Sequence, residues 1–586
     1  MSGQNLEPLC PLGDMAYRTP AALPFELLQH TGIFFEEKLY TQALTLLFNT
    51  LASGTYASKK AVLPLPQHLA LAATCLVHPS TTTRAQTAEE KEAANAALRL
   101  LRLTSTLVSP RGAKLDVAFS FAHFESTRSG RRRHTEDPSS NNELRDETKA
   151  LNLELGQSDS LWSRAEDFWH AVGWAFNCSV LHPERWERWQ IWLQFMCDVI
   201  QADWADRERE YEELKAKKDD SKYNAVPASK GGKGKKPRAK DDQGLDIFRG
   251  SLIFQYLSAG PVSGRNRRIL RAIFADGSAT SVNEFRAVFH RELVQSKSSQ
   301  SADKANKRER EVDIDRGLYG DYLSEDETDD EVHSAPNGSK HSSGSTPSSG
   351  TDTKARRSKR TRRGTRTATN SSAAEPEITG YSSLAEHRGG VALMGGLAGL
   401  GLRKRFIGIL SNVADRLPHD FVSILDLYNF FVEKIRPLPL PIFQAFVSPY
   451  IVPELADAAQ TTLCELLLYT VLESSAPGTD DEYLNQNKLE RCFLPFAAAS
   501  ASAVNNAKVS ILFEALIVLL AGSKLLTVTP SLKEAVEQGI LRRADKAQEE
   551  FRRGQNSRNK ESLEWCWLVE SGERLVFLVD LLQPQS

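Results

Sequence analysis

Apolar residues recur every three to four positions along most of the chain, which is the spacing of amphipathic helices. Between residues 25 and about 124, for example, Leu39, Ala43 and Leu47 share one helical stripe. Between residues 402 and 582 the apolar runs are longer, as in FVSILDLYNFFVEKI and VSILFEALIVLLAG. The pattern predicts packed helices rather than strands, and therefore an all-α fold.

Tryptophan is concentrated in one part of this pattern. Seven of the nine tryptophans lie between Trp162 and Trp204. Among them, Trp186, Trp189 and Trp192 fall on a predicted helix that is apolar almost all round, which is typical of a buried helix. Side chains that bury about 150–250 Å² each mark either the core of a domain or a surface on which a partner docks. We interpret the cluster as core, with a docking surface as the alternative.

Polar, charged stretches divide the chain into domains. A chain of 586 residues exceeds the size of a single hydrophobic core, so two or three domains are expected. We predict two helical domains joined by a long disordered, charged linker. The predicted boundaries are an N-terminal tail at 1–20, an N-terminal helical domain at 21–295 with disordered insertions at 128–150 and 215–245, the linker at 296–383, and a C-terminal helical domain at 384–586.

A short internal similarity bears on the architecture. A Leu-Pro-Leu-Pro element precedes an apolar helix both in residues 61–76 and in residues 435–447. Proline is favoured in the first turn of a helix, so both elements predict helix starts. The similarity would suit two halves of an irregular HEAT-like solenoid, or it is coincidence, since no fixed repeat period recurs.

Charge is strongly segregated in the linker, although the net charge of the whole chain is only -2. Residues 324–331 (SEDETDDE) are acidic, and residues 354–366 (KARRSKRTRRGTR) are basic. An accessible basic run suits binding to a nuclear import receptor or to nucleic acid phosphates. The candidate residues are Lys354, Arg356, Arg357, Lys359, Arg360, Arg362 and Arg363, and a second basic tract contains Lys233, Lys235, Lys236 and Arg238.

The linker also contains candidate phosphorylation sites. Ser324 and Thr328 precede acidic residues, the context that acidophilic kinases select, and Thr346 precedes a proline. Phosphates at the first two sites would each add up to about -2 charge and would strengthen attraction to the basic run that follows. The sequence therefore predicts a phosphoprotein with a regulated linker.

Catalytic and metal-binding motifs are not recognisable in the sequence. The seven cysteines are scattered singly and the twelve histidines are dispersed, so no metal site or cofactor is predicted. His419 and Asp420 are adjacent, but we interpret Asp420 as the N-cap of a helix. Residues 395–401 (GGLAGLG) lack the lysine that follows in a phosphate-binding loop, and we interpret them as a flexible segment before a helix at Leu402.

Several local patterns predict individual features. Ser160 is a candidate N-cap, and residues 282–293 form a candidate helix that groups Phe285, Val288 and Phe289. The helix at residues 265–274 would place three arginines on one face, as a solvated face or as a positive stripe. The last segment, 565–582, is either a hairpin or a helix capped at Ser571, and we favour the helix.

The N-terminal residues carry acids and lack a basic stretch before an apolar run, so neither a secretory nor a transit signal is expected. The apolar segments are short for a membrane span, and no membrane partner is predicted. These patterns favour a non-enzymatic nuclear interaction scaffold, a subunit of a chromatin- or DNA-associated complex, whose partners are other protein subunits. The alternatives are a direct binder of the DNA or RNA backbone acting through the basic tracts, and a helical enzyme whose site is assembled from dispersed residues.

Overall fold

The structure of the protein is a computed structural model. The described residues are 17–53, 60–121, 151, 153–223, 242–259, 264–293, 394–477, 483–553 and 560–583.

The N-terminal region is built from helices of very different lengths. Its first half contains α1 (Phe25–Glu36), α2 (Tyr40–Ala52), α3 (Pro66–Val77), α4 (Ala88–Leu107) and α5 (Leu115–Ala118), with a 3-10 turn at Pro79–Thr81. Its second half contains a 3-10 turn at Glu154–Gly156, α6 (Leu161–Arg164), α7 (Phe168–Leu181), α8 (Pro183–Tyr223), α9 (Asp242–Arg249), α10 (Leu252–Ser258), α11 (Arg265–Ile273) and α12 (Ala279–Glu284).

The C-terminal region is also helical. It contains α13 (Gly396–Arg416), α14 (Ile424–Ile435), α15 (Leu440–Val447), α16 (Asp457–Val471), α17 (Gln486–Lys488) with a π-helical turn at Leu489–Phe493, α18 (Ala503–Gly522), α19 (Pro530–Arg553) and α20 (Lys560–Leu581). Among the described residues the only strands are β1 (Pro20–Ala21) and β2 (Ala61–Val62), which pair in parallel. The fold is all-α, as the sequence predicts.

Side chains and prolines at the helix ends explain where several helices begin. The Ser160 side chain accepts a hydrogen bond from the Trp162 backbone N–H, which confirms the predicted N-cap. Thr87 and Glu90 form a reciprocal capping box at the start of α4. Pro66 occupies the first position of α3, and α15 likewise has a proline in its first turn, as the two Leu-Pro-Leu-Pro elements predict.

The tryptophan-rich helix α8 continues without a break to Tyr223. The chain then returns to it, because Phe248 of α9 packs against Trp204 and Tyr211 of α8 with ring centroids 4.9 and 5.4 Å apart. Helices α8 and α9 therefore extend into both ends of the insertion predicted at 215–245. Trp204 is buried, although its position before a charged stretch suggests exposure.

Three local predictions are wrong. The helix predicted over residues 282–293 ends at Glu284, and the next residues take an irregular path in which Phe285, Val288 and Phe289 are still buried. Residues 396–401, predicted to be a flexible segment, belong to α13, which begins at Gly396 and has Gly395 as its N-cap. The last segment is a helix, as favoured, but Ser571 lies inside α20 rather than at a cap, and its hydroxyl donates to the Leu568 carbonyl.

The two helical regions contact each other through apolar and charged side chains. Phe406 of α13 packs against Phe168, Trp169 and Phe176 of α7, with ring centroids 6.0–6.3 Å apart. Ion pairs join α13 to α8 as well, including Arg416 to Glu208 at 2.8 Å. All described residues belong to one compact unit. Independent folding of the two predicted domains stays a prediction.

Two further features concern apolar residues and thiols. Helix α18 is long and apolar enough to cross a membrane by length and composition, and 72% of that window is buried inside the structure. A core helix of this kind meets the same criteria, so the feature by itself assigns no membrane role. Of the six described cysteines, Cys566 is exposed and the other five are buried free thiols.

Candidate functional site

The charged tracts predicted from the sequence lie outside the described residues. This applies to both basic tracts, from Lys354 to Arg363 and from Lys233 to Arg238, and to the candidate phosphorylation sites Ser324, Thr328 and Thr346. Their roles stay predictions.

Trp186, Trp189 and Trp192 lie in the interior. Trp189 and Trp192 are fully buried and meet edge to face, with ring centroids 5.5 Å apart. The indole N–H of Trp189 donates to Glu292 Oε1 at 2.9 Å. In this structure the three side chains fill the core, because other parts of the same chain cover them.

Glu292 also neutralises a buried arginine. Arg185 Nε donates to Glu292 Oε1 at 2.9 Å, and the other guanidinium nitrogens donate to Thr82 Oγ1 and to the Val77 carbonyl. The second carboxylate oxygen of Glu292 accepts from the Phe289 backbone N–H at 3.1 Å. Because each of these groups has a partner inside the protein, the cluster fixes α8 to the first helices and leaves no open position for a substrate.

Nearby histidines are poor proton acceptors at neutral pH. Burial lowers the pKa of His68 to about 4 and that of His78 to about 4. His78 Nδ1 lies 2.7 Å from the Ser80 hydroxyl in a local turn. Within the described part of the chain, no group of three or more His, Cys, Asp or Glu side chains has the geometry of a metal site.

Two of the three arginines predicted to lie on one face of α11 form ion pairs within the fold. Arg268 pairs with Asp167, which also caps α7, and Arg271 pairs with Glu284 at 2.7 Å. These two arginines therefore contribute to packing rather than to a free positive stripe. The predicted cap at Asp420 is also wrong, because Ser423 caps α14, and Asp420 pairs with Arg249 at 3.1 Å.

Helix α20 has large apolar side chains on its buried face and others on its exposed side. Its inner face, which includes Leu568, Leu575 and Val579, is buried against the C-terminal core. Its outer face carries large apolar side chains that are about two-thirds exposed: Leu563 at 65%, Phe577 at 68% and Leu581 at 67%. These three residues are 14 and four positions apart, which places them on one side of the helix, with the ion pair of Glu570 and Arg574 between Leu563 and Phe577. We call them the outer stripe.

The C-terminal region also buries positive charge. Arg403 of α13 and Arg543 of α19 are fully buried, and burial lowers the pKa of both guanidinium groups. Arg403 Nη1 donates to the Met394 and Gly399 carbonyls, and Nη2 donates to the Ala275 carbonyl at 2.8 Å. Arg543 Nη1 donates to the carbonyls of two residues before α18, Leu494 and Phe496, at 3.1 and 3.3 Å.

Each of these arginines follows a glycine by four positions on its helix. A backbone carbonyl lies against each glycine, where a Cβ would overlap it: the Met394 carbonyl at Gly399, and the Leu494 carbonyl at Gly539. The arginine one turn later donates to the same carbonyl. The sequence does contain this signal, as G-x-x-x-R in GLGLR and GILRR, but its meaning depends on which carbonyl approaches the helix.

Comparisons with known proteins give no relative. No family model matches the chain, and neither a curated protein nor a solved structure matches it.

Proposed function

We propose that this protein is a non-enzymatic interaction scaffold of the nucleus, a subunit of a chromatin- or DNA-associated complex. In this proposal the outer stripe of α20 docks another protein subunit, and the basic tracts bind an import receptor or nucleic acid phosphates.

The exposed outer stripe is the observation that carries the docking part. The exposed side of α20 is charged at Glu570 and Arg574 and apolar at Phe577 and Leu581, near the end of the helix. Single exposed leucines are common, but Phe577 and Leu581 lie one turn apart and form an exposed apolar pair of the kind that marks interaction sites. Leu563 lies five turns before Leu581 on the same side of the helix. The stripe suits a partner helix whose own apolar face packs along it, as in helix recognition generally. The nuclear part rests on the sequence of the basic tracts.

The docking part is tested by changing the outer stripe in the full-length protein. We expect Phe577→Ser with Leu581→Ser to leave the melting temperature nearly unchanged and to remove specific proteins that co-purify from native cells. The matched control is Leu525→Ser with Leu541→Ser, because these leucines are 60% and 67% exposed and lie outside the stripe. Loss of the same proteins in both variants, or in neither, would contradict docking at the stripe.

The nuclear part is tested separately with a fluorescent fusion. Changing Arg356, Arg357, Lys359 and Arg360 to Ala should move the fusion out of the nucleus. A wild-type fusion that is already cytoplasmic would refute the nuclear assignment without affecting the docking surface.

A further inference from the structure

A second feature of the C-terminal region is a cleft of about 200 Å³ between α18, α19 and α20. Its walls are mainly apolar and include Ile540, Trp565, Leu568 and Val576. Leu568 is buried and Val576 is 40% exposed, so the cleft runs from the core to the surface. It lies on a different face of α20 from the outer stripe, since its lining residues are about half a turn away.

Two buried polar side chains that line this cleft have atoms without hydrogen-bond partners. Arg543 is fully buried, and its Nε and Nη2 atoms have no acceptor in the described structure. The hydroxyl of Ser510, which is 1% exposed, also has no partner. Buried polar groups are nearly always paired, and a buried charge normally has a counter-ion. Unpartnered donors beside an apolar cleft therefore point to a missing acceptor.

The positive charge of Arg543 has no carboxylate within ion-pairing distance among the described residues. Its guanidinium lies over the Phe513 ring, 5.1 Å from the centroid, and its other contacts are neutral carbonyl groups. Glu573 is at the rim of the cleft, but it is exposed to solvent and does not reach Arg543. A ligand that supplies a negative charge would satisfy both the charge and the free N–H groups.

We propose that this cleft binds a small apolar monocarboxylate, whose carboxylate accepts hydrogen bonds from Arg543 and Ser510 and whose hydrocarbon chain lies along the apolar walls. The volume equals that of about seven water molecules, so it holds a carboxylate and a chain of roughly six to eight carbon atoms whose far end reaches the open mouth of the cleft. Nucleotides and drug-sized ligands need about 300–1,000 Å³, and the polar groups available here match only one anionic end. Hydrogen bonds between a guanidinium group and a carboxylate are charge-assisted, and they are stronger than hydrogen bonds between neutral groups.

The test is calorimetric titration of the full-length protein with octanoate and, as the uncharged probe of equal length, 1-octanol. We expect one molecule of octanoate per chain and binding about tenfold or more tighter than that of 1-octanol, because hydrogen bonds to charged groups discriminate by at least this factor. Arg543→Met should bring the two affinities together.

A second variant keeps Arg543, so that a loss of binding can be distinguished from misfolding caused by Arg543→Met. Val576→Trp should close the mouth of the cleft and abolish octanoate binding, since Val576 is a partly exposed lining residue. Leu541→Trp is the control, because Leu541 is exposed on α19 outside the cleft and should bind octanoate as wild type does. Equal affinity for the two probes, octanoate binding that survives Val576→Trp, or no binding of octanoate at all would each overturn the proposal.

Discussion

The two helical regions accommodate buried positive charge in different ways. In the N-terminal region, Arg185 pairs with Glu292 and Arg207 pairs with Asp203, and all four side chains are buried. In the C-terminal region, buried cations rely largely on backbone carbonyl groups. Examples are Arg403, Arg543, Lys404 and Lys508, although Lys488 does pair with Glu465.

This difference has an energetic consequence. A buried pair has no net charge, so removing one partner leaves an isolated ion and costs a great deal. Carbonyl groups accept the N–H hydrogen bonds but do not compensate the positive charge, so the burial of that charge still destabilises the folded state. The N-terminal arrangement fixes structure, whereas the C-terminal arrangement retains positive charge that an anion would stabilise.

The largest loss of stability is expected when one partner of a buried ion pair is removed. Glu292→Ala should lower the free energy of unfolding by about 3–5 kcal/mol, because Arg185 would stay buried without its carboxylate. Denaturant unfolding of the full-length protein measures this. The control is Glu284→Ala, which breaks the partly exposed pair with Arg271 and should cost less than about 1 kcal/mol. Equal costs for the two variants would contradict the comparison.

An effect of intermediate size is expected for the two buried arginines, whose substitutions should lower stability by different amounts. Arg403→Met removes the donor to three carbonyl groups, including that of Ala275 in the other region, and should cost about 1–3 kcal/mol. Arg543→Met should be closer to neutral, because the loss of two hydrogen bonds is offset by the removal of a buried charge that has two unpaired nitrogen atoms. Thermal denaturation compares them. A larger cost for Arg543→Met would show that its charge is already compensated.

The smallest effect concerns pH. Burial lowers the pKa of Lys404 and of Lys508 from 10.5 to about 8. Between pH 8 and pH 10.5 the lysines of the unfolded chain bind more protons than those of the folded chain, so stability should rise as the pH increases above about 8. Below about pH 8 both lysines are charged in the folded protein, and the full cost of burying these charges applies. Burial raises the pKa of Cys75 from 9.0 to about 12, which acts in the opposite direction above pH 9.

The effect of the two lysines is therefore best measured between about pH 7.5 and pH 9, below the range in which Cys75 acts in the opposite direction. In this range the melting temperature of wild type should rise, and that of a Lys404→Met, Lys508→Met variant should change less. Identical profiles would mean that neither lysine titrates in this range.

Local signals in the sequence predicted much of the fold, and long-range contacts account for the errors. The caps and prolines act within one helical turn, so Ser160 and Pro66 could be interpreted directly. Trp204 could not, because the residue that covers it, Phe248, follows an insertion. The partners of Arg543 likewise come from a distant segment. The outer stripe was not predicted, because apolar residues occur on both sides of α20 and their pattern does not show which of them the rest of the fold covers.

Gly399 and Gly539 are exceptions to a common rule of protein engineering. Replacing glycine by alanine inside a helix ordinarily stabilises a protein by up to about 1 kcal/mol. At these two positions the methyl group would collide with a carbonyl oxygen, whereas Gly32 and Gly408 leave room for it. A stabilised form of this protein would therefore take alanine at 32 and 408 and keep glycine at 399 and 539.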